Sequence, residues 1–103
     1  MKEITSLEKL KNVIDSNHNP IIIDFYAPWC GPCKKIAPVF QKLSEENVSV
    51  IFIKVNTDEA EEIAEYFQIK ALPTFIGIKD KKIIKHSTGG NETILKDILK
   101  ALV

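Results

Sequence analysis

The sequence has no cysteine outside one short segment: its two cysteines, Cys30 and Cys33, are three residues apart in a chain of 103 residues. Small secreted domains that depend on disulfides usually have more cysteines, spread along the chain. A bridge between Cys30 and Cys33 would close a very short loop and stabilise the fold by roughly 2 kcal/mol, against about 4.7 kcal/mol for a 100-residue loop. The pair is therefore poorly placed as a structural cross-link and well placed as a reversible redox switch.

Net charge and long apolar segments are also missing. Fourteen acidic residues balance fourteen basic ones, and the few aromatic residues do not alternate with lysine, so no nucleic-acid-binding or membrane-surface patch is predicted. No apolar run approaches the ~20 residues of a membrane-spanning helix, and the first residues lack the features of a signal peptide. We expect a cytoplasmic protein, although a mature form whose targeting segment had been removed would look the same.

No repeat, linker or low-complexity segment is visible, so residues 1–103 are expected to form a single α/β domain. A Thr5–Glu8 capping box is predicted at the start of the first helix, and Asn91 is predicted to cap the last helix. Pro38 lies inside the second helix and should kink it. The predicted elements are strands at 1–5, 21–27, 48–55, 74–79 and 83–87, with helices at about 5–16, 32–46, 58–67 and 92–102.

The Cys-Gly-Pro-Cys segment stands between a predicted buried strand and a predicted helix. Cys30 should therefore lie at a helix N-terminus, where backbone N–H groups and the helix dipole favour a thiolate. Lys34 and Lys35 add positive charge, and the turn at 28–29 should leave Cys30 partly exposed. Because the thiolate is the nucleophile of disulfide exchange, we expect Cys30 to attack a substrate disulfide. Cys33, expected to be more buried, would then resolve the mixed disulfide.

Gly31 and Pro32 suit this placement. Glycine lets the backbone turn tightly, and proline fits the first turn of a helix because its missing N–H is not needed there. Zinc is the alternative for a C-x-x-C pair, but a structural zinc usually takes four protein ligands, and His18 and His86 are far from the pair in sequence. Within one chain we expect no metal, whereas a metal that bridges two chains stays compatible with the spacing.

A carboxylate, Asp24, interrupts the apolar run at 21–27. Burying an ionised carboxylate is costly, so burial should raise the pKa of Asp24 and suit it to proton transfer near neutral pH. Because this strand leads into the cysteine turn, we expect Asp24 to manage the proton of Cys33, directly or through a water. The alternative is a carboxylate at an exposed strand end or paired with a lysine. Lys54 is a candidate neighbour that would oppose the pKa rise, or else an exposed strand-end lysine.

The segment Leu72-Pro73-Thr74 is the third feature. The residue before a proline is extended, so the backbone groups of Leu72 can pair with a passing peptide strand. From sequence alone, Pro73 is a loop proline and Gly89-Gly90 is a turn.

Taken together, these residues resemble the thioredoxin family. The active-site motif of that family is similar to Trp-Cys-Gly-Pro-Cys-Lys at residues 29–34. The chain length matches, and further landmarks stand in the family's order along nearly the whole chain: Asp24-Phe25, Pro38, Lys54, Leu72-Pro73-Thr74-Phe75 and Gly89.

The resemblance implies the thioredoxin fold. This is an α/β fold with a mixed five-stranded sheet of order 1-3-2-4-5, flanked by four helices, whose last two strands run antiparallel to the rest. It also implies that Pro73 is cis and lies beside the cysteines, and that the family's buried aspartate and nearby lysine are Asp24 and Lys54. The implied substrate groove is formed by Trp29, Leu72, Pro73 and Gly89.

For activity, the resemblance implies a protein-disulfide reductase that holds no cofactor of its own. Its electron donor would be thioredoxin reductase, which itself uses NADPH and flavin. Typical acceptors are protein disulfides in peroxiredoxins, methionine sulfoxide reductases and ribonucleotide reductase. We expect a monomer that serves electron transport and cell redox homeostasis, without nucleic-acid or membrane partners.

Two residues depart from the family pattern. Tyr26 stands where bacterial members often have tryptophan, and Pro28 stands where many have Glu or Lys. The Gly-Pro pair between the cysteines resembles the reducing members, and the residues at these positions tune the reduction potential. The alternatives are a disulfide isomerase or oxidase, against which the lack of an export signal counts, and a module that binds partners without turnover.

Overall fold

Amphipathic helices alternate with apolar strands along the whole chain in the computed structural model, which describes residues 1–103. The order of elements is the predicted β-α-β-α-β-α-β-β-α. None of the helices is long and apolar enough to cross a membrane. The elements are β1 (Lys2–Glu3), α1 (Leu7–Ser16), β2 (Ile21–Tyr26), α2 (Gly31–Glu46), β3 (Ile51–Asn56), α3 (Glu61–Tyr66), β4 (Thr74–Lys79), β5 (Lys82–Thr88) and α4 (Glu92–Leu102).

The five strands form one mixed sheet in the expected order, β1-β3-β2-β4-β5. The strands β1, β3 and β2 are parallel, β4 is antiparallel to β2, and β5 is antiparallel to β4. The expectation that both of the last strands run against the rest is therefore wrong for β5. A tight hairpin reverses the chain after β4, so β5 runs in the same direction as β2.

Both faces of the sheet are covered, which explains the nearly continuous apolar run of β2. On one face, Ile21 and Ile23 pack in a core cluster with residues of α1 and α3. On the other face, Ile22 packs in a second cluster with residues of α2 and α4. Because side chains alternate along a strand, Asp24 lies on the face of Ile22, towards α2.

The start of β3 was predicted three residues too early. Residues 48–50 form a turn after α2, in which the Val50 N–H donates to the Asn47 carbonyl at 3.1 Å. Val48 is 88% exposed, because the turn directs it away from both core clusters. Pairing begins at Ile51, whose N–H donates to the Pro20 carbonyl at 2.8 Å.

Local side-chain hydrogen bonds set several other boundaries. Ser6 rather than Thr5 caps α1, since its hydroxyl accepts from the Lys9 N–H at 3.3 Å. Asn91 caps α4 as predicted, accepting from the Thr93 N–H at 2.8 Å.

The start of α3 was also predicted three residues too early. The Asn56 side chain accepts from the Asp58 N–H at 3.0 Å, and the Glu59 N–H donates to the Asn56 carbonyl at 3.0 Å. Asp58 therefore lies in a turn between β3 and α3 rather than in the helix.

Candidate functional site

Cys30 and Cys33 form a disulfide at the junction of β2 and α2. Cys30 is the N-cap of α2, and its Sγ accepts a hydrogen bond from the Cys33 N–H at 3.2 Å. Pro32 lies in the first turn, as predicted, where it removes no helix hydrogen bond. The Cys30 sulfur therefore lies where free N–H groups and the helix dipole favour a negative charge.

The expected difference in exposure between the two cysteines is wrong for the disulfide form. Cys30 is 5% exposed and Cys33 is 4% exposed, because Tyr26 and Leu72 pack around the pair. The exposed side chain of this turn is instead that of Trp29, which is 70% exposed. The two cysteines differ in what lies next to them rather than in accessible area.

Each cysteine lines a different cavity. The first, here called the Cys30 cavity, has a volume of about 440 Å³ and is lined by Cys30 with Trp29, Gly31, Pro32, Thr57, Ala64, Ile69, Lys70, Ala71 and Leu72. The second, the Cys33 cavity, has a volume of about 210 Å³ and is lined by Cys33 with Asp24, Tyr26, Ala27, Pro28, Lys34, Ala37 and Lys54. Apart from Cys30, the first cavity has one ionisable side chain, that of Lys70, whereas Asp24, Tyr26, Lys34 and Lys54 all line the Cys33 cavity.

Asp24 is buried beside the Cys33 cavity. It is 1% exposed, and its Oδ1 atom has no hydrogen-bond partner. Burial raises the pKa of Asp24 from an ordinary value of 3.8 to about 7, while the Lys54 ammonium opposes the rise and the Glu3 carboxylate adds to it. The direction and the opposing lysine are those expected from the sequence. A carboxyl group with this pKa can change its protonation state near neutral pH.

A row of charged residues crosses three strands of the sheet next to this carboxyl group. Glu3 on β1 is the register partner of Lys54 on β3, and Lys54 is the register partner of Asp24 on β2. None of the three forms an ion pair within 4 Å. The one salt bridge of the structure joins Lys96 and Glu92 on α4. Instead, Lys54 Nζ lies 4.4 Å from the ring centroid of Tyr26, and the Tyr26 hydroxyl lies 2.8 Å from both carboxylate oxygens of Glu3.

The loops at Pro73 and Gly89 meet beside the start of α2. The Leu72–Pro73 peptide bond is cis, as the resemblance implied. The Pro73 carbonyl accepts a hydrogen bond from the Gly89 N–H at 2.9 Å. Gly89 has a φ of +129°, which side chains other than glycine rarely adopt. A Cβ atom at Gly90 would lie 3.2 Å from Pro32, so this loop approaches α2 closely.

Two of the four residues expected to form the substrate groove, Trp29 and Leu72, line the Cys30 cavity. Pro73 and Gly89 do not line it, but their mutual hydrogen bond places both next to Leu72. The backbone N–H and C=O of Leu72 make no hydrogen bond within the chain. They are therefore free to pair with an extended peptide.

Sequence reasoning missed the contact that holds Trp29. The indole Nε1–H donates to the Asp58 carboxylate, 3.0 Å from Oδ2. Asp58 was predicted to lie in the first turn of a helix, and its acidic neighbours favoured that interpretation. The signal that would have found it is Asn56, two residues earlier, because asparagine after a strand commonly starts a side-chain-bonded turn. Thr57, from the same turn, also lines the Cys30 cavity.

No group of three or more His, Cys, Asp or Glu side chains in the structure is arranged to hold a metal ion. Both cysteines are engaged in the disulfide. His18 follows α1 and His86 lies on β5, so neither histidine comes from the elements that hold the cysteine pair.

Comparisons with known proteins agree with this geometry. A family model described as Thioredoxin matches residues 2–101. The mitochondrial thioredoxin-3 of Saccharomyces cerevisiae is 39% identical over 100 residues, which cover 97% of this chain and 78% of that protein. The structure of Fasciola hepatica thioredoxin matches with a TM-score of 0.96 at 36% identity, over the full length of both chains. A third match comes from structural work on thiol resolution in a yeast mitochondrial 1-Cys peroxiredoxin through the glutathione and thioredoxin systems. Its TM-score is 0.93 at 37% identity, over 99% of this chain and 95% of that one.

The chain is also similar to a segment of much longer proteins. It is 37% identical over 100 residues to the peptide-N(4)-(N-acetyl-beta-glucosaminyl)asparagine amidase of Caenorhabditis elegans, and it spans only 16% of that protein's length. The share is again 16% for the Caenorhabditis briggsae amidase. A segment of this kind therefore occurs both as most of a small protein and as a part of a larger one.

Proposed function

We propose that this chain, which belongs to the thioredoxin family, is a protein-disulfide reductase whose chemistry is carried by Cys30 and Cys33. The observation that carries the proposal is a disulfide at the N-cap of α2 whose two cysteines line different cavities. The cysteine pair and the family together support a dithiol–disulfide oxidoreductase. In this proposal, the Cys30 cavity receives the substrate and the Cys33 cavity handles the proton.

The first step belongs to Cys30. In the reduced protein, the Cys30 thiolate attacks one sulfur of a substrate disulfide, so that a bond forms between these two sulfurs. The substrate disulfide bond breaks, and its second sulfur leaves with the electron pair as a thiolate. The Cys33 N–H, which lies 3.2 Å from Cys30 Sγ, and the positive end of the α2 dipole stabilise the attacking thiolate. The Gly31-Pro32 turn brings the two sulfurs within bonding reach.

Binding of the substrate belongs to the groove residues. The exposed ring of Trp29 and the side chain of Leu72 offer apolar contacts to the residues that flank the substrate cysteine. The unbonded backbone of Leu72 offers one N–H and one C=O to an extended substrate strand. Pro73 and Gly89, which lie next to Leu72, complete the proposed groove. Main-chain pairing depends little on substrate sequence, which suits a general reductase.

The second step belongs to Cys33 and Asp24. The Cys33 thiol gives its proton, directly or through a water, to the Asp24 carboxylate as its sulfur attacks Cys30 Sγ. The Cys30–substrate bond breaks, the substrate leaves as a thiolate, and the Cys30–Cys33 disulfide forms. With a pKa of about 7, Asp24 is partly ionised at neutral pH and can accept this proton. Lys54 modulates this proton affinity, since its charge favours the ionised carboxylate.

The partners follow from the electron balance. Each turnover consumes two electrons, and we propose thioredoxin reductase as the protein that returns them by reducing the Cys30–Cys33 disulfide. Peroxiredoxins, methionine sulfoxide reductases and ribonucleotide reductase are the proposed acceptors. The match to a structure from work on peroxiredoxin thiol resolution supports the first of these classes. The other two rest on the family alone.

We also propose that residues 1–103 act as a single, monomeric thioredoxin domain in the cytoplasm, serving electron transport and redox homeostasis without nucleic-acid or membrane partners. A dithiol that must return to its reduced form requires a reducing compartment. The mitochondrial matrix is the other compartment to test, because the similar yeast thioredoxin-3 is mitochondrial. Cell fractionation followed by detection of the chain separates the two.

The test of the proposed activity is the reduction of insulin by Cys30→Ser, compared with the wild type and with Ser44→Ala, an exposed hydroxyl change on α2. We expect Cys30→Ser to fall to background and Ser44→Ala to retain full activity. Substantial reduction by Cys30→Ser would overturn the mechanism. A folded wild type that binds partners but does not reduce insulin would favour the binding module. A reduction potential in glutathione buffer close to that of disulfide isomerases would favour the isomerase alternative.

A further inference from the structure

Tyr26 contacts charges of both signs at the edge of the Cys33 cavity. It lies two residues after Asp24 on β2, so the two side chains share one face of the sheet. Its hydroxyl donates to the Glu3 carboxylate, with both oxygens at 2.8 Å, and the Lys54 ammonium lies over its ring at 4.4 Å. One phenol therefore holds an anion at its hydroxyl and a cation at its face.

The register of the sheet would also allow Lys54 to pair directly with a carboxylate. Lys54 stands between Glu3 on one neighbouring strand and Asp24 on the other. Opposite charges at facing positions of adjacent strands are close enough to form ion pairs. Neither carboxylate comes within 4 Å of the Lys54 ammonium. The contacts of Tyr26 account for this, because they engage both Glu3 and Lys54.

We propose that Tyr26 and Glu3 are positioning residues for proton exchange between Asp24 and Cys33: Tyr26 fixes the Glu3 carboxylate in the row that contains Asp24 and holds the Lys54 ammonium on its ring. Asp24 thereby keeps a negative neighbour and has no direct cationic partner. A direct Asp24–Lys54 ion pair would hold the carboxyl group ionised and make it a poor proton acceptor. This inference rests on the proposed reductase function and adds residues to its second step.

The charged and titratable groups around Asp24 come from four elements. Lys54 faces it from β3, Glu3 from β1, Tyr26 from its own strand, and Cys33 with Lys34 from α2. Burial is the largest cause of the raised pKa of Asp24. The charge of Lys54 lowers that pKa and the charge of Glu3 raises it.

The Tyr26 hydroxyl remains a neutral donor throughout the physiological range. Its pKa is raised well above the ordinary value, first by burial and then by its hydrogen bond to Glu3. The charges of Glu3, Asp24 and Glu59, from the turn after β3, add to the rise. The anchor for Glu3 therefore does not titrate over the pH range in which Asp24 does.

The first experiment changes Glu3→Gln, which removes the charge and keeps the shape. The midpoint of the Asp24 carboxyl titration, followed by carbon NMR in the oxidised protein, should fall by roughly 0.5 pH unit at low salt. Because Glu3 is exposed, the difference from wild type should shrink in ~1 M salt. Glu8→Gln, on α1 at the opposite face of the sheet, makes the same change in net charge and should leave the midpoint unchanged.

The second experiment separates the hydroxyl of Tyr26 from its ring. Tyr26→Phe should lower the Asp24 midpoint in the same direction as Glu3→Gln but less, because Glu3 loses its anchor while the ring still holds Lys54. Cys33 should resolve a mixed disulfide faster as the pH rises. In both variants, the midpoint of this increase should move to lower pH. Resolution rises through the Asp24 midpoint because the ionised carboxylate is the proton acceptor.

The inference is overturned if Glu3→Gln leaves the Asp24 midpoint unchanged, if Glu8→Gln shifts it equally, or if Tyr26→Phe raises it. It is also overturned if the midpoint moves but the pH profile of resolution does not. Failure of the proposed function looks different: the wild type would not reduce disulfides, or Asp24→Asn would keep the wild-type pH profile. The NMR midpoint is measured without turnover, so it distinguishes the two failures.

Discussion

The two sides of the disulfide are made from different kinds of structure. The Cys30 cavity is lined mainly by loop residues, among them Trp29, Thr57 and Leu72, together with the first residues of α2 and Ala64 of α3, and it offers apolar surface with free backbone groups. The Cys33 cavity is lined by residues of β2, β3, α2 and the turn after β2, and its ionisable side chains are those of Asp24, Tyr26, Lys34 and Lys54. Loops tolerate variation and adapt to partners, whereas strands hold side chains in fixed positions. In the proposed mechanism, this arrangement lets one side of the disulfide bind varied substrates while the other side controls one proton.

The difference in surroundings also supports the order of reaction proposed for the two cysteines. Both are nearly inaccessible in the disulfide form, at 5% and 4% exposure, so accessible area does not distinguish them. A substrate strand can approach through the Cys30 cavity, where Trp29 is exposed and Leu72 has unpaired backbone groups. Asp24, whose burial raises its pKa to about 7, lines the Cys33 cavity and not the Cys30 cavity.

Of the substitutions that test the difference between the two sides, Cys33→Ser is expected to have the largest effect on activity. The Cys30 side stays intact, so the attack on substrate disulfides continues, but nothing resolves the product. Mixed disulfides through Cys30 should accumulate, and turnover of insulin should fall by more than about 100-fold. Non-reducing gels and mass spectrometry of the trapped species measure both effects. The double variant Cys30→Ser/Cys33→Ser should trap nothing. Failure of Cys33→Ser to trap a partner would remove the resolving role from Cys33.

Asp24→Asn is expected to have the next largest effect, and it acts on the Cys33 side alone. The pKa of Asp24 is raised from 3.8 to about 7, so folding disfavours the ionised form. The stabilising effect of the protonated carboxyl is complete below pH 4 and is lost as the pH rises through 7. Asn mimics the neutral acid, so Asp24→Asn should raise the free energy of unfolding at pH 8 by about 2–4 kcal/mol relative to wild type. Urea denaturation at several pH values should show this gain shrinking towards pH 4.

The same variant should resolve mixed disulfides about tenfold more slowly at pH 7, because the proton acceptor is gone. Asp97→Asn, at an exposed position of α4, makes the same side-chain change away from the Cys33 cavity and should alter neither stability nor rate. An unchanged rate in Asp24→Asn would take Asp24 out of the proton path. A stability gain that does not depend on pH would contradict the raised pKa.

The sequence predicted most of the fold, because periodicity and caps are local. Asn91 and the apolar spacing after it predicted α4, and the chain forms the five-stranded sheet in the order implied by the family resemblance. The predicted boundaries of strands and helices were wrong where apolar or acidic residues continue beyond the end of the element. Val48 continued the pattern of β3 without joining it, and Asp58 continued the acidic start of α3.

The candidate site was predictable in its chemistry but only in part in its arrangement: Lys54 was expected beside Asp24, whereas Glu3 was not. The residue types at Cys30, Cys33 and Asp24 indicated a thiol pair with a buried carboxyl group. The row of Glu3, Lys54 and Asp24 depends on the register of three strands that are distant in sequence, which no local pattern specifies. The contact of Tyr26 with two members of that row depends on the same register.

Asp58→Ala is expected to have the smallest effect, and it tests whether the two sides are independent. The Asp58 carboxylate accepts the Trp29 indole N–H at 3.0 Å, and both residues are exposed, so the loss of this hydrogen bond should cost about 0.5–1 kcal/mol. The KM for a protein disulfide should rise about two- to five-fold because Trp29 is held less firmly over the groove. Trp29 is the only tryptophan, so its fluorescence reports the change directly.

Asp58→Asn is the matched control, because its amide oxygen still accepts the indole N–H and most of the wild-type KM should remain. Neither variant should move the Asp24 titration or the pH profile of resolution, because Asp58 contacts Trp29 and does not line the Cys33 cavity. A shift of that profile in Asp58→Ala would mean that the substrate loops and the charged row are coupled. The hypothesis that substrate binding and proton transfer are carried out independently on the two sides of the disulfide would then be wrong.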